Sequence, residues 1–227
     1  MPAQLLQLQA TPDLVDRVYR ALLDAICDGS LAPGARLGQE DIAARLAVSR
    51  QPVLQALRLL KKDGLALDAP GRGLLVAPLD AQRIAQVYEV RAALDVLAAR
   101  LAATRGAALD PRLLEDGRRA ARGDDIQAMV EADMAFHNAV YAASGNPLIA
   151  ASAHLHWVHL RREMGAVLQH ARQRHAIWDE HEAIAGAIAD GDADRAARLI
   201  DDHGRQASEN LLARLPDVLT PVLKGQP

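Results

Sequence analysis

Residues 39–64 read QEDIAARLAVSRQPVLQALRLLKKDG, and the spacing within this stretch decides the fold around it. Its first part predicts a short helix from about Gln39 to Leu46 with Ile42, Ala43 and Leu46 on one face. A tight break at Ala47-Val48 leads to Ser49, a residue type suited to cap a second helix running to about Asp63. Val53, Leu57 and Leu60 fall on the buried side of that second helix, and Gly64 stops it. Two short helices joined by a few residues form a helix-turn-helix. Working outward, Thr11-Pro12 opens an earlier helix in which Leu14, Val15, Val18, Leu22 and Ile26 recur at helical spacing up to Gly29. Pro33-Gly34 makes the turn between them. On the other side, Leu65-Ala66-Leu67, the glycine turn Ala69-Pro70-Gly71-Arg72-Gly73 and Leu74-Leu75-Val76 predict a strand, a turn and a strand, which is a wing.

Such a unit works by fitting its second helix into the major groove of duplex DNA, where the first residues of that helix meet base edges. Here they are Ser49, Arg50, Gln51 and Gln55. Arg50 can fork onto guanine or a phosphate, and the two glutamines can pair with adenine. Ser49 can bond a phosphate through its hydroxyl or the helix N-terminus. Charge agrees, if modestly: the whole chain carries −3, but residues 33–78 hold seven Lys/Arg against four Asp/Glu, a net +3. Residues 79–227 hold 17 against 21, a net −4. The basic character belongs to one module.

Beyond Pro78 the sequence predicts helices only. Hydrophobic residues make up 50% and aromatics 3% of the chain, and that scarcity of aromatics favours packed helices over sheets. Six helices are expected, at about 80–105, 110–122, 124–144, 146–172, 174–190 and 192–214, with Asp110, Asn146 and Asp192 as N-caps and a loosely held tail from Pro216. The apolar run from Ile84 to Ala103 is interrupted by Glu89, Arg91, Asp95 and Arg100, so it predicts an amphipathic helix rather than a membrane span. A single cysteine, Cys27, and the lack of a charged-then-apolar leader point to the cytoplasm. The expected fold is mainly α: an N-terminal winged helix-turn-helix with a small β-hairpin, residues 1–78, and a C-terminal all-α bundle of six or seven helices, residues 79–227.

Asp133 and His137 stand four residues apart on a predicted helix, so a carboxylate and an imidazole share one face. His181 and His203 lie on two other predicted helices, beside Ala, Ile and Leu, where an inward imidazole needs a partner. Taken singly, each is explained by a satisfied core histidine. One Asp and three His from three helices of one bundle together suit a divalent metal with open positions. Arg91 can fork onto a ligand carboxylate or brace Asp95 one turn away. His154, His156 and His159, with Arg161 and Arg162, crowd another helix and cannot all face one way; at most one of His156, His159 or Arg161 is expected to reach a pocket. Trp157 and Trp178 are expected in the core, and His170 and His175 flank a helix break.

Pro33-Gly34-Ala35-Arg36-Leu37, Val48-Ser49-Arg50-Gln51-Pro52-Val53, Ala56-Leu57 to Leu60 and Asp63-Gly64-Leu65 with Gly71-Arg72-Gly73 resemble the winged helix of the GntR family of regulators. The resemblance implies DNA contacts by Arg36, Arg45, Ser49, Arg50 and Gln51, with Gly71, Arg72 and Gly73 at a wing tip entering the minor groove. Leu54-Gln55 departs from the Arg-Glu usual after Pro-Val, which removes a common contact. Arg91 to Asp95, Asp133 to Asn138, Glu180 to Ile184, and Gly191-Asp192-Ala193 leading to His203 resemble the FadR-like C-terminal (FCD) ligand domain of the same regulators. That resemblance implies a metal, zinc or nickel, on Asp133, His137, His181 and His203, a small carboxylate completing its shell, and Arg91 near the pocket; Asp95 stands where Glu is usual. The expectation is a repressor, not an enzyme, acting as a homodimer on a palindromic operator and relieved by a metabolite. Its rivals are a metal-dependent hydrolase using Glu180 or Glu182 as base, and a regulator with a purely structural cluster and a non-chelating or acyl effector.

Overall fold

The computed structural model describes residues 14–168 and 176–224, with only the backbone described for 166–168 and 216–224. The Thr11-Pro12 helix start, His170 and His175 lie outside the described residues. By its internal contacts the chain divides into two units, Met1–Ile26 with Leu31–Ala77, and Cys27–Ser30 with Pro78–Pro227.

Within the first unit, α1 (Leu14–Cys27), α2 (Gln39–Arg45) and α3 (Arg50–Lys62) precede a hairpin of β1 (Ala66–Asp68) and β2 (Leu74–Val76). The strands pair antiparallel, Ala66 opposite Val76 and Asp68 opposite Leu74. Val18, Leu22 and Ile26 of α1 and Val53, Ala56, Leu57 and Leu60 of α3 are buried, as their four- and three-residue spacing requires. Two expected members of these faces are exposed, and Val15 is only half-buried. Leu14 sits at the very start of α1 and Leu46 just past the end of α2, where the helical face no longer exists, and both are exposed.

The ends of α2 and α3 are built alike. After α3, the Gly64 amide donates to Lys61 O and the Leu65 amide to Leu60 O, with Gly64 at φ +74°. After α2, Ala47 donates to Ala44 O and Val48 to Ala43 O, with Ala47 at φ +53°. Both are Schellman ends, but the second places a Cβ in the left-handed region, at a cost of about 1–2 kcal/mol. Ser49 occupies the N-cap position of α3, yet its side chain makes no capping hydrogen bond, contrary to the sequence expectation.

The second unit contains α4 (Ala81–Thr104), α5 (Arg112–Arg122), α6 (Ile126–Ala143), α7 (Pro147–Leu168), α8 (Ala176–Ala189) and α9 (Ala193–Lys224). The side chains of Asn146 and Asp192 accept from the amides of Leu148 and Arg195 at 3.1 and 2.9 Å, and Asp110, one residue before the Pro111 N-cap of α5, accepts from Arg112 at 2.9 Å. Asp80 and Asp125 cap α4 and α6 in the same way. The spacing predicts a last helix to about 214 and a loosely held tail from Pro216, but α9 continues to Lys224; an interior proline removes one backbone bond without forbidding the helix beyond it.

The center of this unit is α4, which packs most extensively along α9 and also touches α6, α7 and α8. That placement corrects the amphipathic reading. Glu89 and Arg100 face solvent, but Arg91 and Asp95 are buried. Residues two apart on a helix lie on nearly opposite sides, so Glu89 outside puts Arg91 inside. Among the described residues no helix is long and apolar enough to cross a membrane.

Candidate nucleic-acid interface and metal centre

Arg45, Ser49, Arg50, Gln51 and Gln55 are all exposed, so the second helix of the pair presents its first turns to solvent. Arg50 Nη1 pairs with Glu40 Oε1 at 2.7 Å across the two helices. An ion pair this exposed contributes under about 1 kcal/mol, so a phosphate or base can replace Glu40. Arg36 has a second task that the sequence did not disclose. It is exposed, but its guanidinium donates to the carbonyls of Arg72 at 3.1 Å and Pro70 at 3.3 Å, bracing the wing turn from below. Gly71 and Gly73, at φ +88° and +95°, supply the left-handed conformations of that turn. Arg72 projects from it, exposed.

In the second unit, four side chains from three helices meet in the interior. Asp133 and His137 come from α6, His181 from α8 and His203 from α9, and one ligand atom of each lies within 4.8 Å of all the others. Their exposures are 7%, 0%, 0% and 5%. His181 Nε2 is 3.3 Å from His203 Nε2 and 3.5 Å from Asp133 Oδ1. Phe136 stacks on the His181 ring at 4.1 Å and Trp178 meets its edge at 4.7 Å, which fixes the imidazole plane.

Around the four stands a ring of groups from α4, α6 and α7. Arg91 Nε lies 3.1 Å from Asp95 Oδ2, so of the two alternatives for Arg91 the brace to Asp95 is present as an ion pair, despite the shorter Asp. Arg91 Nη2 lies 4.0 Å from Asp133 Oδ2 and makes no hydrogen bond. Tyr141 donates to Asp95, and Asp95 Oδ2 is 3.5 Å from His137 Nδ1. The Arg91 guanidinium carbon lies 4.7 Å from the center of the Trp157 ring, a cation–π contact. Trp157 is therefore core, as expected, and also a wall of this site.

Burial sets the protonation states. It pushes the His137 and His181 imidazoles well below their ordinary range, and the positive Arg91 nearby pushes the same way. Both rings are neutral at pH 7 and carry a free lone pair. Burial raises the Asp133 carboxyl, while Arg91 pulls it back. For Arg91, burial opposes the charge, but Asp95 and other neighbors outweigh it and the guanidinium shifts upward.

These residues fit a divalent metal. Both ring nitrogens of His137 and Nδ1 of His181 are buried without a hydrogen-bond partner, a condition that costs about 1–3 kcal/mol per group. Two ligands held about 2.1 Å from one tetrahedral ion lie about 3.4 Å apart, close to two of the separations here, 3.3 and 3.5 Å. Three imidazoles and a carboxylate form the donor set that zinc and nickel accept.

Other sequence candidates are not drawn in. His154 is exposed and His156 half-buried. His159 is buried but bonds Arg83 of α4 at 2.9 Å, in a separate polar group with Arg162 and Glu163. Glu182, a candidate base for hydrolysis, pairs instead with Arg118 at 2.7 Å. Glu180 bonds His203 Nδ1 at 2.7 Å. The sequence reading missed Tyr141, although it lies four residues after His137 on the same face of α6.

Residues 14–76 match the bacterial regulatory proteins of the gntR family, and residues 86–206 match the FCD domain. The chain belongs to the GntR regulators that carry an FCD domain. It is a DNA-binding transcriptional regulator, from a family of regulators rather than enzymes. Among curated proteins it is 28% identical over 199 residues to an HTH-type transcriptional regulator in the unstable DNA locus of Streptomyces ambofaciens, covering 86% of this chain and 83% of that one. It is 25% identical over 216 residues to the HTH-type transcriptional repressor RspR of Escherichia coli K12, covering 90% and 92%. Among solved structures, a GntR regulator from Rhodococcus sp. RHA1 superposes with a TM-score of 0.70 at 26% identity, covering 88% of this chain and 97% of that one. E. coli McbR/YncC shares the fold at a TM-score of 0.75 and 21% identity, covering 90% and 99%.

Proposed function

We propose that this regulator is a metabolite-relieved repressor that acts in the cytoplasm as a homodimer on a palindromic operator, with a small carboxylate effector received at a divalent metal, zinc or nickel. The observation that carries the reading is the convergence of Asp133, His137, His181 and His203, all buried, with their ligand atoms within 4.8 Å. When bound, the ion supplies a Lewis-acidic attachment point for a carboxylate oxygen. His137 and His181 offer neutral lone pairs, and Asp133 offers the compensating negative charge. Arg91 Nη2, buried and without a hydrogen bond, donates to the second carboxylate oxygen. Tyr141 and Asp95 hold Arg91 in place for that contact.

On the DNA side, Ser49, Arg50, Gln51 and Gln55 enter the major groove, with Arg45 on the backbone. Gly71, Arg72 and Gly73 carry the wing into the minor groove, and Arg36 supports the wing while staying within reach of phosphate. Two copies set their recognition helices about 34 Å apart, one turn of the duplex. If the effector binds the DNA-free state better, linkage lowers DNA affinity by the same factor.

One titration tests this. The full chain is bound to a fluorescent operator selected from a random pool, then titrated with a panel of small carboxylates, with and without a chelator. Release by a carboxylate that needs the metal is the expected result. No ligand-dependent change across the panel, or equal release from chelated protein, sinks the proposal.

A further inference from the structure

The three histidines of the cluster are not held alike. Neither ring nitrogen of His137 has a hydrogen-bond partner, and Nδ1 of His181 has none. His203 Nδ1, in contrast, lies 2.7 Å from Glu180 Oε2. With the Glu180 oxygen as acceptor, the proton of this bond sits on His203 Nδ1. The lone pair is then left on Nε2, the nitrogen that faces His181 Nε2 at 3.3 Å inside the cluster.

The helix explains how Glu180 reaches this position. It directly precedes His181 on α8, and consecutive helical residues point about 100° apart, so His181 enters the core while Glu180 lies on the flank facing α9. The Glu180 side chain is one-third exposed, whereas that of His203 is 6% exposed. Among the described residues Glu180 makes no other hydrogen bond or ion pair. Asp95, the other carboxylate near a cluster histidine, is differently occupied: it accepts from Tyr141 and pairs with Arg91.

We infer that Glu180 is the outer-shell carboxylate of this center, a positioning residue that fixes the tautomer and ring orientation of His203 and so presents its Nε2 to the metal. This inference rests on the metal reading proposed above. It gives Glu180 a task incompatible with that of a free general base. Removing such a partner characteristically weakens metal binding about 10–100-fold.

The experiment uses the full chain, stripped of metal, in wild-type, Glu180→Ala, Glu180→Gln and Glu182→Ala forms. Zinc affinity is read by competition with a chromophoric chelator, the visible spectrum after loading with cobalt(II), and the melting temperature of each metal-free protein. Glu182→Ala is the control, because it removes the same charge from the same helix but from the Arg118 pair. Glu180→Ala is expected to lose about 10–100-fold in zinc affinity and to alter the cobalt spectrum, with its metal-free melting temperature near that of wild type. Glu180→Gln, which keeps an accepting oxygen without the charge, falls between. Glu182→Ala matches wild type. Wild-type zinc affinity in Glu180→Ala, or a drop in metal-free melting temperature with no change in affinity, overturns the inference. A wild-type chain that takes up neither zinc nor cobalt overturns the metal reading itself, and the wild-type titration alone shows it.

Discussion

In the winged helix, Arg50 and Glu40 meet at 2.7 Å with side chains 69% and 79% exposed; in the helical unit, His137 and His181 are fully buried and find no hydrogen-bond partner for three of their four ring nitrogens. Under the proposed function both are polar groups that receive a ligand, and they are kept ready by opposite means. On the surface, water screens the pair and makes its partner cheap to exchange, which suits a helix that must leave one DNA site for another. In the interior, neutrality keeps the imidazoles available: burial suppresses their charge, so each lone pair waits for something that can bind it. Changes at the first region should move DNA binding and leave the fold alone. Changes in the second should couple to ligand uptake and to stability.

The largest effect is expected at His137. His137→Ala should weaken zinc binding by more than the roughly 10–100-fold that loss of an outer-shell partner brings, measured by chelator competition, while far-UV circular dichroism of the metal-free protein stays unchanged. A variant that keeps its metal would break the comparison, because the buried cluster would then be structural.

Next comes Glu163, buried with Oε2 unpartnered. Burial pushes its carboxyl up to about 8 from an ordinary 4.5, with Arg162 and Arg83 pulling it back. A group raised on folding contributes its stability below its unfolded value and loses it as pH rises toward the folded value. Glu163→Gln removes that loss. The variant should therefore gain on wild type as pH rises from 4.5 to about 8, reaching on the order of 3 kcal/mol and then leveling. Denaturant melts at several pH values check this, and a difference that does not vary with pH refutes it.

Gly117 sharpens the contrast from the packing side. A Cβ there would lie 2.0 Å from the Trp178 ring, the ring that edges His181. Gly117→Ala should destabilise by about 1–3 kcal/mol, visible in thermal melts, with an altered Trp fluorescence spectrum. An unchanged melt would show that α5 and α8 give way freely at this point.

The smallest effect on the folded protein is expected at Arg50. Arg50→Ala should change stability by less than about 1 kcal/mol, yet weaken operator binding by about 1–3 kcal/mol if Arg50 reads a base. Fluorescence anisotropy at fixed salt separates the two. Equal loss on operator and random DNA would reassign Arg50 to a phosphate.

The two regions were not equally legible in the sequence. The winged helix was read almost entirely, because helix periods, Gly64 at a helix end and the turn Gly71-Arg72-Gly73 are local signals acting within a few residues. Even there, the sequence misjudged Leu46 and did not show that Arg36 clasps the Pro70 and Arg72 carbonyls, since that contact joins residues more than thirty apart. In the helical unit, helix positions and caps were legible for the same local reason. Spacing alone put Arg91 and Asp95 among the polar interruptions of an amphipathic run, because the sequence does not reveal that α4 is covered by neighbors on several sides.

By itself the sequence determined the element types, their order, most of the stops and caps, and the four side chains chemically able to bind a metal, because each follows from side-chain chemistry and short-range backbone preference. Only the tertiary structure decided that Asp133, His137, His181 and His203 come within 4.8 Å of one another, that Glu180 turns toward His203 rather than solvent, and that Arg91 lies buried between Asp95 and Trp157. Those relations depend on how three or more helices rotate and pack about their axes. No local spacing encodes that rotation; it emerges when every apolar face is buried at once.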